Sequence, residues 1–155
     1  MRSHARIATR HRHADLLLEP FFPTKSDVFA AQTKWGLRYI AVRQFEMRDV
    51  GTFTVHMLEI EGTIDLRRVV SEYCTAEAEG TPGADTRSTT ILKPQTGAGF
   101  AVETAVTTGK GTIHVAHRCF TNGKAIVHAR ASYIDTPYAK RAAARFLDGI
   151  RVVRN

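Results

Sequence analysis

The stretch GTIHVAHRCFTNGKAIVHARASYI, residues 111–134, constrains the fold more than any other part of the chain. Two runs of alternating side chains flank one Asn-Gly pair. Asn-Gly accepts the positive φ angles of a tight hairpin turn, so such a stretch reads as two antiparallel strands. A second turn signal, TTGKGT at 107–112, joins the first of these strands to GFAVETAVTT before it. A meander of long strands, 98–108, 111–121 and 124–134, follows from turns and alternation alone.

Taking Asn122-Gly123 as a two-residue turn sets a register. Thr121 then faces Lys124, and His117 faces His128. Alternation places Ile113, Val115, His117, Cys119, Ile126, His128 and Arg130 on one face, with Phe100, Val102, Thr104 and Val106 from the preceding strand. The other face carries His114, Ala116, Arg118, Phe120, Ala125, Val127, Ala129, Ala131 and Tyr133, with Ala101, Glu103 and Ala105.

Each face holds one candidate site. On the first, two opposed imidazoles and a thiol two residues along, His117, His128 and Cys119, offer three ligands to zinc or copper. No fourth ligand or supporting carboxylate is evident, and the plain alternative is a half-buried histidine pair beside a buried cysteine. Two close imidazoles resist double protonation, so stability is expected to fall below about pH 6. On the second face, Glu103 and Arg118 stand opposite or diagonal, with His114 among small alanines. These three are candidates for the floor of a polar pocket; the plain alternative is a partly covered ion pair under a helix.

The rest of the chain extends the sheet. KWGLRYIAVRQF (34–45) and GTFTVHMLEI (51–60) are β-rich, as is residues 88–95, and the loop GTPGADTR occupies 80–87. In TIDLRRVVSEYCTAEAEG (63–80) the period changes: Leu66, Val69, Val70, Tyr73 and Cys74 recur at helical spacing between Asp65 and Gly80. TPYAKRAAARFLDG is a second helix, with Thr136 as N-cap, Pro137 at the first position and Gly149 after the end. ADLLLEPFFPTKSD reads as an edge strand broken by Pro20 and Pro23, and IRVVRN as a last strand. The resulting expectation is an α+β fold: a twisted, mostly antiparallel sheet of about six to seven strands with two helices packed on it. Residues 1–13 form a basic flexible tail, and 14–155 a single domain.

Charge narrows the function. The net charge is +7, yet residues 1–13 and 140–155 each carry +4, leaving 14–139 at −1. A nucleic-acid binder concentrates its base on a folded face, so nucleic acid is not the expected partner. No apolar run approaches the ~20 residues of a membrane helix, and no secretory signal opens the chain, which gives a cytoplasmic expectation, or the cell envelope if a leader was removed. Two cysteines without CxxC spacing suggest no disulfide framework. No G-x-S-x-G, P-loop, G-x-G-x-x-G or H-E-x-x-H motif occurs, so no catalytic residues and no cofactor are expected beyond the zinc or copper option.

The C-terminal half, from GFAVETAVTTGKGTIHVAHRCFTNGK to the closing FLDGIRV, resembles the PsbP-like superfamily, the fold of the photosystem II extrinsic subunit and a eukaryotic Ran-binding factor. Bacterial members often end in a strand, a Gly-rich turn, a strand, a short helix and "FLDS" before a final apolar strand. Phe146, Leu147 and Asp148 match, with Gly149 where serine is usual. LLLEPFFPTKSD is similar to the proline-bearing opening strand. The resemblance implies an α/β/α sandwich and an accessory protein acting through a protein partner, with no family catalytic residues to carry over. Many relatives are exported or lipid-anchored, and related intracellular members act as chaperones for secreted effectors.

Overall fold

The computed structural model describes residues 12–13, 16–17, 37–60, 64–94 and 97–150. Six strands form one antiparallel sheet: β1 Leu37–Met47, β2 Gly51–Ile60, β3 Ala84–Leu92, β4 Ala98–Thr108, β5 Gly111–Thr121 and β6 Ala125–Ile134. Their spatial order is β1-β2-β6-β5-β4-β3. Helix α1, Val70–Glu79, lies between β2 and β3 in sequence, and α2, Pro137–Asp148, follows β6. The short pair Arg12–His13 and Leu16–Leu17 hydrogen-bonds to itself and not to the six-stranded sheet. The opening strand expected around it otherwise lies outside the described residues, as do residues 1–11 and the closing strand after Ile150.

The helices pack on opposite faces. On one, Phe53, Val55, Met57, Ala129 and Ala131 of β2 and β6 meet Ala139, Ala143, Phe146 and Leu147 of α2. Phe45, Phe53 and Phe146 form its centre, with ring centroids 5.1–5.8 Å apart. On the other, Leu58, Val102, Cys119 and Ile126 meet Val70, Tyr73, Cys74 and Ala78 of α1. The alternation expected of 98–134 therefore holds face for face, since Cys119 and Phe120 fall in opposite cores.

Local chemistry accounts for the helix bounds. Thr136 accepts from the Ala139 amide, Pro137 starts the helix and Gly149 ends it. The earlier helix is divided. A single 3-10 turn, Leu66–Arg68, is capped by Asp65 and gives way to α1 only after Val69, where φ is −116°. Arg67 binds the same Asp65 carboxylate with two nitrogens.

Two expectations need correction. The first is the hairpin register. Asn122 does not make a two-residue turn; its Oδ1 accepts from both the Lys124 and Ala125 amides. Thr121 Oγ1 adds a bond to the Ala125 carbonyl, and only Gly123 takes positive φ, 104°. The loop thus holds four residues, and Thr121 pairs with Ile126. A shift of two residues keeps every side chain on its face but changes each opposite number. His117 faces Arg130, and Cys119 faces His128. The Gly123 carbonyl then accepts from Leu66, which ties this loop to the 3-10 turn. The second is the loop at 80–87. Its last four residues belong to β3, where Ala84, Asp85 and Thr86 pair with Val106, Ala105 and Thr104. A polar strand is tolerated there because β3 is an edge strand and its side chains from Asp85 to Ile91 are exposed.

Candidate functional site

The face beneath α1 gathers more titratable groups than the sequence suggested. β2 pairs with β6 so that His56 lies opposite His128. His128 lies diagonally across from His117 on β5, and the three rings make a row across three strands. The His117–His128 rings are nearly parallel, 5.1 Å apart, with Nδ1 of His117 2.8 Å from Nε2 of His128. The His56 and His128 rings meet edge-on at 5.5 Å. From α1, the Tyr73 hydroxyl approaches His128 Nδ1 at 3.5 Å and Glu77 Oε1 at 3.5 Å.

Burial governs this row. His117 and His128 are each 2% exposed. Loss of water, reinforced by the Arg130 guanidinium, lowers the His56 and His117 pKa values to about 4. Burial pushes His128 well below its ordinary value, and the neighbouring His117 and His56 add to the shift. Glu77 lies 3.9 Å from His128 Nδ1, but an ion pair there requires a protonated ring that burial disfavours. Burial likewise pushes the Cys119 thiol well up, with a contact to Cys74 contributing.

The residues expected as metal ligands, His117, Cys119 and His128, are thus neighbours on one buried face, with the register corrected as above. Two of the ring nitrogens, Nδ1 of His117 and Nε2 of His128, face each other. Among the described residues no group of three or more His, Cys, Asp or Glu side chains is placed to hold a metal ion.

His56 escaped the sequence reading. Alternation in GTFTVHMLEI does place His56 beside Thr54 and Leu58, but no turn signal reveals that β2 neighbours β6. That pairing spans the whole of α1, β3, β4 and β5.

The opposite face is only partly covered. α2 lies over β2 and β6 and its core takes in Ala116 and Phe120 of β5, and no described helix covers β3 and β4 there. Glu103 sits at the middle of this open half, exposed, with its carboxylate 3.2 Å from Ser88 Oγ. It borders two depressions. The larger, about 440 Å³, is lined among others by Arg87, Ala105, His114, Tyr133 and Lys140. The smaller, about 170 Å³, is lined by Ser88, Thr90, Leu92 and Arg118 among others.

Glu103, Arg118 and His114, the expected pocket residues, therefore lie on one open surface but not around one cavity. Glu103 faces Ala116 and Arg118 faces Ala101, so the two are diagonal. Arg118 Nη1 instead binds Asp148 at the end of α2, 2.6 Å away. His114 stacks on Tyr133 at 5.3 Å and reaches Asp135 at 2.9 Å. Asp135 also receives Lys140, and the hydrogen bonds from His114 and Lys140 lower its pKa.

No protein-family model matches the chain, and no curated protein matches it significantly. Solved structures do. The crystal structure of LpqN, involved in cell envelope biogenesis of Mycobacterium tuberculosis, superposes with a TM-score of 0.56 at 12% identity, covering 94% of this chain and 95% of that one. At such low identity the likeness shows a shared fold. Among the described residues no helix is long and apolar enough to cross a membrane.

Proposed function

We propose that the chain is a non-catalytic accessory protein of PsbP-like fold that acts through a protein partner docked on the open half of its sheet. The observation that carries this reading is the uneven cover of that face. β3 and β4 present Arg87, Ser88, Thr90 and Glu103 on a part of the sheet that no described helix covers. Fixed polar and charged side chains between small alanines suit recognition of another protein, since they select a partner by charge and register. The likeness to LpqN supports an accessory role at the cell envelope in preference to the cytoplasm.

A small-ligand reading is favoured by one observation, the depression of about 440 Å³ beside Glu103 and His114. One experiment separates the two. The chain and its Ser88→Arg/Thr90→Arg variant are captured natively from their own cells. A stoichiometric partner that the variant loses supports the docking face; a partner kept by the variant rules that face out. A partnerless chain whose melting temperature rises with a small-molecule fraction of the lysate favours the ligand reading.

A further inference from the structure

The chain has two cysteines, and the fold brings them to one place. Cys74 belongs to α1 and Cys119 to β5, and both are 0% exposed in the core between helix and sheet. Phe100 of β4 locates one against the other. It lies directly opposite Cys119 in the sheet, and its carbonyl oxygen accepts from Cys74 Sγ at 3.6 Å. The two side chains touch there, and no third cysteine competes for either sulfur.

We infer that Cys74 and Cys119 are the two halves of an internal disulfide, formed when the chain folds in the presence of a low-molecular-weight disulfide such as oxidised glutathione. Both are thiols in the structure. The step balances by two exchanges. One cysteine thiolate attacks a sulfur of oxidised glutathione, and one glutathione thiolate leaves. The other cysteine thiolate then attacks the protein sulfur of that mixed disulfide, and the second glutathione leaves. Two protein thiols are oxidised, one glutathione disulfide is reduced, and the two protons lost by the cysteines end on the two glutathione thiols.

Burial sets when this happens. The attacking species is a thiolate, and burial, with the Cys74 contact adding to it, pushes the Cys119 thiol well above its ordinary value. The folded, reduced chain therefore offers almost no thiolate, and neither sulfur is open to a reagent. The exchange belongs to folding, before α1 closes over β4 and β5. Once enclosed, the disulfide is shielded from reductant in the same way, so the pair keeps the redox state of the compartment in which the chain folded. The bond ties α1 to β5 and closes a loop containing β3 and β4, which restricts the unfolded chain. The site does not depend on the proposed envelope location, which decides only whether it is oxidised in the cell.

The full chain tests it, unfolded in guanidinium with reductant and refolded at about pH 8 with either oxidised glutathione or reductant. Refolding with oxidised glutathione is expected to leave no thiol open to alkylation under denaturing conditions, to give a linked Cys74–Cys119 peptide in a non-reduced digest, and to raise the melting temperature by about 10 °C over the reduced chain. The reduced chain, once folded, is expected to react with the same reagent at least about tenfold more slowly than the refolding chain. Cys74→Ala/Cys119→Ala is expected to melt at one temperature in both buffers. If the reduced chain does not refold, production in cells with an oxidising or a reducing cytoplasm replaces the refolding step. Two free thiols or two glutathione adducts on an oxidatively folded chain, a linked chain without native circular dichroism, or the same gain in the double variant overturns the proposal. Chain purified from its own cells reports the compartment separately: two thiols there, with a disulfide on refolding, contradict the envelope location and leave the site standing.

Discussion

His117 and His128 lie diagonally across β5 and β6 on one buried face, with Arg130 and Cys119 as their respective opposite residues. Parity along a strand survives any even register shift, so face assignments are the robust product of alternation. Opposite numbers depend on loop length, and here one side chain, Asn122, decides it by capping two amides instead of entering a two-residue turn. The pH response belongs to this scale. Histidines in the unfolded chain titrate near 6.5, whereas His56 and His117 titrate near 4 when folded. Above 6.5 both states are neutral and stability is full. Between 6.5 and 4 the unfolded chain takes up protons that the folded one refuses, so stability falls as pH falls. Each such histidine contributes a slope of about 1.4 kcal/mol per pH unit in that window. Urea unfolding at several pH values checks this, and a midpoint flat from pH 7.5 to about 5 contradicts it.

At the scale of elements, local signals were strong wherever a cap or turn acts alone. Thr136, Pro137 and Gly149 bound α2 as read, and Gly109-Lys110 makes the two-residue turn between Thr108 and Gly111. Thr136→Ala is expected to cost about 1 kcal/mol by loss of its bond to the Ala139 amide, measured as a shift in the urea midpoint. Phe146→Ala, which empties the centre of three packed rings, is expected to cost about 3–5 kcal/mol in the same assay. Equal effects from the two changes contradict this account of α2. The start of β3 was not legible, because Asp85, Thr86 and Arg87 are a loop's residue types. An exposed edge strand needs no apolar alternation, and backbone pairing with β4 alone defines it.

At the scale of the molecule, the α+β class followed from counting hairpins and two periodic helices. The strand order did not follow, since β2 reaches β6 only through a long crossover that carries α1 over the sheet. That one unread adjacency brought His56 to His128. It also set where α2 lies, and so left β3 and β4 with no described helix on that side. On the function proposed above, the partner docks on this open half. The most direct measurement places a photo-crosslinking amino acid at Thr90, on the open face, and separately at Arg141, on the outer side of α2, and irradiates living cells. The account predicts one discrete crosslinked protein from position 90 and none from position 141. Equal crosslinking from both positions, or a discrete product from 141 alone, contradicts it.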